Sequence, residues 1–191
     1  MKKYIQSASI AVLFTATASA ATLATYDFDS NTTDASSTDP GVTASSISAG
    51  LQTSFFNGTS GGNVPGTSSN FTTGLGAGTG SITYESLSLE DWAWNSDWDI
   101  TISYTDGGSN VGSYDYSISS GSNNLQSIDI ADFTSSNTVT WTITTTNLTA
   151  NTNVYRFDDL TLTGTVNPIP EPTSAALLGL GGIALISRRK R

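Results

Sequence analysis

An all-β fold, built as a single β-sandwich over residues 21–166, is predicted by three features of the sequence. Short runs rich in β-branched and aromatic residues recur between Gly, Asn, Asp and Ser clusters, as strands do between turns. Within those runs apolar residues take every second position. Trp98, Ile100, Ile102 and Tyr104 alternate with Asp99, Thr101, Ser103 and Thr105, giving one face for a core and one for water. No stretch of this region has the spacing of an amphipathic helix.

The elements follow in chain order. Residues 1–20 read as a secretory signal peptide: Lys2 and Lys3 form a positive start, residues 10–14 are apolar, and Ala18 and Ala20 flank Ser19 in an A-x-A cleavage site. The mature chain then begins near Ala21. Strands are expected near residues 24–29, 51–56, 81–89, 125–130 and 154–163. Residues 97–119 read as a hairpin, because Asp106-Gly107-Gly108 ends the first run and Tyr114, Tyr116 and Ile118 return on the partner. Val139, Trp141 and Ile143 repeat the alternation against Thr138, Thr140, Thr142 and Thr144. The Ser, Thr and Gly richness of residues 30–49 and 57–80 predicts long loops there.

Two strands change phase partway along. Tyr155 and Phe157 hold odd positions whereas Leu160 and Leu162 hold even ones, so one regular strand cannot bury both pairs on one face. A bulge at Asp158-Asp159 reconciles them. Ile82 and Tyr84 against Leu87 and Leu89 require a second irregularity at Glu85-Ser86. Eight or so strands at this spacing favour a jelly roll among the sandwich topologies.

Composition narrows the function. Only Arg156 of the seven Lys and Arg falls in the body, against fifteen of the sixteen acids, a formal charge of −14. Such a balance argues against nucleic acid and anionic lipid as partners and favours solubility or cation binding. There is no cysteine and no histidine. Ser-His-Asp, Cys-His and His-ligated metal chemistry are thereby excluded, and an exported domain must be held by its core or by a bound ion. Gly74-Leu75-Gly76-Ala77-Gly78 follows no hydrophobic strand and opens no helix, so it reads as a loop and not a nucleotide cradle. The N-x-[ST] sequons at Asn31, Asn57, Asn70 and Asn147 read as accidents of composition.

The C-terminal stretch, residues 167–191, has a different character. Pro168, Pro170 and Pro172 force an extended spacer. An uncharged apolar run follows at residues 175–186, short of the roughly 20 residues that span a bilayer core. Arg188, Arg189, Lys190 and Arg191 close the chain and hold that end in the cytoplasm by the positive-inside rule. The order of Pro170-Glu171-Pro172, a short hydrophobic helix and a basic cluster closely resembles the PEP-CTERM sorting signal of exosortase-processed bacterial proteins, with Ile169 where Val is commoner. The resemblance implies exosortase and the secretion machinery as partners during export, membrane attachment through the helix until processing, and final delivery to the cell surface or beyond. An ordinary tail anchor is the competing explanation.

Candidate binding residues come from aromatics and acids. Trp98 begins an inward-facing series and is assigned to the core. Trp92 and Trp94 share a face if extended, and beside Asp91, Asn95 and Asp97 they are candidate platforms for a sugar ring; capping of the sandwich edge is the plainer alternative. Glu85, Glu90, Asp91, Asp97 and Asp99 match no hydrolase motif, and solvent-facing strand carboxylates account for them. The opening run Tyr26-Asp27-Phe28-Asp29 and the closing run from Tyr155 to Leu162 resemble the end strands of carbohydrate-binding-module jelly rolls. Those strands pair and often hold a structural calcium. The resemblance implies Asp29 and Asp159 as oxygen ligands, with Asp27 or Asp158 beside them. The favoured reading is a non-enzymatic exported protein of the cell surface or extracellular polysaccharide matrix, with exopolysaccharide as a further partner. A carbohydrate-binding module is the alternative, and a secreted glycoside hydrolase comes third.

Overall fold

The alternation has a simple consequence: each strand has one apolar face, and two sheets must close face to face to bury it. The computed structural model describes residues 20–28, 32–48, 51–52, 62–63, 68–76, 80–93, 96–147 and 155–169. Among them there is no helix, and every strand pairing is antiparallel.

One sheet is ordered β10 (Asn123–Ser135), β7 (Ser81–Ala93), β12 (Tyr155–Asn167), β1 (Ala21–Tyr26) and β2 (Ser37–Thr38). The short strands β5 (Gly62–Asn63) and β4 (Leu51–Gln52) extend it beside the start of β12. The other sheet is ordered β3 (Val42–Ala44), β6 (Ser68–Leu75), β11 (Val139–Asn147), β8 (Trp98–Thr105) and β9 (Val111–Ile118). The described residues thus form an all-β sandwich. The hairpin expected at residues 97–119 is β8 and β9, and the first and last strands are neighbours, with Ala21 opposite Gly164 and Tyr26 opposite Leu160.

Both phase changes are bulges. Along β12 the pairing with β7 slips between Asp158 and Thr161, and Asp159 takes a left-handed φ of 47°. Burial moves from Tyr155 and Phe157 to Leu160 and Leu162 across that slip. On β7, Ser86 pairs with Thr163 and Tyr84 with Gly164, which leaves Glu85 as the extra residue. Beyond it, a side-chain carbon on Gly164 would collide with the carbonyl oxygen of Thr83, so the two strands approach there as only glycine allows.

The core is aromatic at its centre. Trp141 on β11 lies 5.3 Å from the ring of Tyr104, 5.6 Å from Tyr84, 6.2 Å from Phe71 and 6.3 Å from Phe133, so residues of both sheets meet on one indole. Its Nε1 donates to Thr73 Oγ1 at 3.1 Å, and the Thr73 hydroxyl lies 2.9 Å from that of Tyr84. Those bonds explain β6, where the sequence predicts a loop. The inner face of β6 offers Ser69, Phe71 and Thr73, all buried, and Thr73 is tolerated there because Trp141 and Tyr84 satisfy its hydroxyl. Residues 53–56 of the expected second strand lie outside the described residues.

The strands run between two poles. Ala21, Asn167, the turn at 106–110 and the connection at 136–138 share one; Asp106 accepts hydrogen bonds there from Gly108 N (2.8 Å), Asn110 Nδ2 (2.7 Å) and Ser135 Oγ (3.0 Å). At the other pole, Gly121 N donates to Ala93 O at 2.7 Å and Ser120 N to Asp97 at 2.7 Å. Replacing Trp141 by Ala removes the indole on which both sheets pack and deletes its hydrogen bond to Thr73. The expected loss is about 3–5 kcal/mol of unfolding free energy, read as a lower urea midpoint at unchanged slope; an unchanged midpoint contradicts this account of the core.

Candidate functional site

Period-two geometry puts paired residues on the same face, and at the pole away from the termini this gathers the polar and aromatic residues of three strands. Trp92 on β7 is opposite Asn123 of β10 on one side and Arg156 of β12 on the other. One step along, Glu90 is opposite Leu125 and Asp158. These side chains are on the outer face, since the intervening Asp91 and Phe157 are buried. The Arg156 guanidinium carbon lies 5.8 Å from the centroid of the Trp92 ring, a cation–π contact that covers part of the indole. The only cation of the body therefore shares this face with Glu90 and Asp158, which are directly opposite one another. The cleft between them, lined by Glu90, Trp92, Asn123, Arg156 and Asp158 with Asp91 and Phe157 behind, has about 20 Å³ of room, enough for a water.

Trp92 is half-buried, and Trp94 lies outside the described residues, so the pair expected to act together is represented by one ring. The outer face of the other sheet carries Asp99, Thr101, Ser103 and Thr105 on β8, Ser113, Asp115 and Ser117 on β9, and Thr140, Thr142, Thr144 and Thr146 on β11. Its carboxylates are engaged across the strands. Thr101 Oγ1 donates to Asp115 and Ser117 Oγ to Asp99, each at 2.6 Å. With no aromatic residue on the described outer positions of those three strands, ring stacking falls to Trp92.

The expected calcium ligands are only partly in view. Tyr26 pairs with Leu160, so Asp27 and Asp159 follow one another off the same end of the β1–β12 ladder. Phe28 and Asp159, the two non-glycine residues with positive φ among those described (52° and 47°), fall together there. Asp159 N donates to Asp158 Oδ1 at 2.9 Å. Asp29 lies outside the described residues, and among these no three acidic side chains converge as a metal group. A complete ligand set would need Asp29 or backbone carbonyls.

Sequence reasoning missed one residue, Asp91. Expected to face solvent, it is fully buried. Its signal was its parity, since Leu87, Leu89 and Ala93 occupy the same phase of β7 and are buried too. Gln126 Nε2 donates to Asp91 Oδ1 and the Tyr155 hydroxyl to Oδ2, both at a long 3.4 Å, and the hydroxyls of Tyr116 and Tyr155 are 2.9 Å apart. Removal from water pushes the Asp91 carboxyl above its ordinary 3.8, opposed by the bonds from Gln126, Tyr116 and Tyr155. Burial, with the Asp91 carboxylate nearby, holds both tyrosines above their usual range; Tyr116 adds to the rise at Tyr155, whereas the bond from Tyr155 opposes it at Tyr116. Trp98 Nε1 is likewise buried, without a hydrogen-bond partner among the described residues, and its ring is 6.1 Å from Tyr155.

The raised carboxyl sets a pH dependence. The folded chain holds the Asp91 proton more tightly than the unfolded chain, so stability falls as pH rises from the ordinary carboxylate range through the raised value. Asp91→Asn cannot ionise. It should be more stable than wild type at pH 7, with the advantage shrinking as pH falls towards 4; a variant that loses stability at pH 7 would mean that the charged form is the one the fold favours. Urea midpoints across pH 4–8 make the comparison.

Comparison with curated proteins finds no match to the chain. The residues immediately after β12 do match a family model. Residues 168–191 fit the PEP-CTERM protein-sorting motif. The residues that carried the resemblance in the sequence, Pro170, Glu171, Pro172, Arg188, Arg189, Lys190 and Arg191, fall inside that match and outside the described residues, as does the apolar run at 175–186; the cleavage-site residue Ala18 is likewise undescribed, whereas Ala20 is exposed beside β1. The chain carries a PEP-CTERM sorting signal, of the kind processed by exosortase at the membrane, directly behind an all-β sandwich.

Proposed function

We propose that the protein is an exported, non-enzymatic sandwich of the cell surface or extracellular polysaccharide matrix, delivered by its sorting tail and freed from the membrane by exosortase. The observation that carries this reading is the sorting motif at residues 168–191. The body is consistent with such a role. Fifteen acids against one cation suit a soluble domain outside the cell. The strand orders β10-β7-β12-β1 and β6-β11-β8-β9 are those of two interleaved Greek keys, so the sandwich is read as a jelly roll.

Carbohydrate binding is the second reading, supported by Trp92 with Arg156, Asn123, Glu90 and Asp158 on one outer face. A neutral glycan suits this site better than an anionic one, because the surrounding acids repel the latter. Calcium at Asp27, Asp158 and Asp159, completed by Asp29, belongs to the same proposal; it would lower the repulsion among acids at the paired chain ends.

Three measurements test these statements. Glu171→Ala should leave full-length protein in the inner membrane of the native host, whereas wild type recovered from the surface should lack Arg191 by intact mass; an intact Arg191 there refutes exosortase processing. Trp92→Ala should abolish retention of the mature body on any neutral polysaccharide that retains wild type, and equal retention removes the platform. Millimolar calcium should raise the melting temperature of wild type but not of Asp159→Asn, because an ion preferring the native state must stabilise it; equal behaviour of the two rules out this site.

A further inference from the structure

The folded body ends almost on top of the sorting motif. β12 continues to Asn167, which still pairs with Ser81 of β7. Asn167 Nδ2 donates to Thr83 Oγ1 at 3.0 Å, and Thr165 Oγ1 to Glu85 at 2.9 Å. The contact extends beyond the strand. A side-chain carbon placed on Gly80 would collide with the Asn167 carbonyl oxygen and come within 2.9 Å of Ile169 N and 3.1 Å of Pro168 C. Gly80 is therefore a bare floor on which Pro168 and Ile169 lie, and Pro170 is the next residue.

Distances make this restrictive. From Asn167 to Pro170 is three residues, about 10 Å at full extension, whereas a body of this length has a radius of gyration of about 15 Å. An enzyme embedded in the membrane must take Pro170-Glu171-Pro172 into a cleft and needs extended chain on both sides of the motif. With the sandwich docked, the upstream side is occupied by β7.

The burial pattern shows where the strand would give way. Leu160 and Leu162 are fully buried, and Gly164 is wedged under Thr83. Beyond Gly164 the residues Thr165, Val166 and Asn167 are only half-buried and Ile169 is 59% exposed. Releasing them breaks ladder hydrogen bonds and withdraws only one apolar side chain, the half-buried Val166, from the rim of the core, so this segment belongs to the low-stability end of the molecule.

We infer that residues 165–169 form a detachable stem, and that they must peel from β7 as far as Gly164 before the sorting enzyme can grip the motif. This rests on the exosortase reading above. The sandwich itself stays folded, because Leu160 and Leu162 remain seated. Processing rate is then set partly by the body: a tighter stem slows it, and a spacer between stem and motif makes it independent of the stem.

The chain has no cysteine, so a single introduced pair reports cleanly. In S81C/N167C the two cysteines replace directly paired residues and oxidise in the exported compartment. In the native host, the reduced form of this full-length variant should be processed like wild type, and the oxidised form should accumulate in the inner membrane with Arg191 intact. Inserting six Gly and Ser residues between Asn167 and Pro168 should restore processing of the oxidised form. Equal processing of oxidised and reduced forms overturns the stem, as does failure of the spacer to rescue. If wild type itself keeps Arg191, the sorting reading fails instead.

Discussion

β12 is the strand on which the rest of the sandwich depends. It is hydrogen-bonded to β7 along one side and to β1 and β5 along the other, and it contributes Tyr155, Phe157, Leu160 and Leu162 to the core. Both edges of an inner strand must be in register at once. The bulge at Asp159 and the extra Glu85 on β7 allow this, each resetting the phase so that apolar residues on both sides of it point inward. Without them, half of β12 would turn its leucines to water.

How much of this was legible depended on where the satisfying partners lie. Strands with several apolar residues in phase, such as Trp98, Ile100, Ile102 and Tyr104, announce themselves, and so do the two phase slips, because both rest on local period. β6 did not, since Ser69 and Thr73 look like loop residues until Trp141 and Tyr84, distant in sequence, are seen to bond Thr73. Asp91 illustrates the opposite failure. Its phase was readable, but charge outweighed parity in the expectation, and only the tyrosine and glutamine partners from β9, β10 and β12 make its burial tolerable. At the candidate site, Trp92 was legible as an aromatic beside polar residues. Its partner Arg156 was not, because the two meet only through strand pairing across sixty-odd residues.

The absence of cysteine and histidine throws the burden of stability onto packing. A domain of this size can carry it. The rings of Trp141, Tyr104, Phe133, Tyr84 and Phe71 form a connected cluster across the sandwich, and aromatic pairs contribute beyond the area they bury. The many acids are kept compatible with this by position. Most lie on outer faces or in turns, where water screens them, or have their oxygens engaged by hydroxyls, as at Asp99, Asp106 and Asp115.

The placement of the outgoing chain on an inner strand has a mechanical consequence. A pull on the chain beyond the sandwich enters the fold through Asn167, the last residue of β12. A pull along the strand axis loads the ladders to β7 and β1 in shear, many bonds at a time, whereas the same pull on an edge strand such as β10 would load one ladder only. The same strand can thus be frayed sideways at its tip by a small local motion and still hold the whole domain against a lengthwise force.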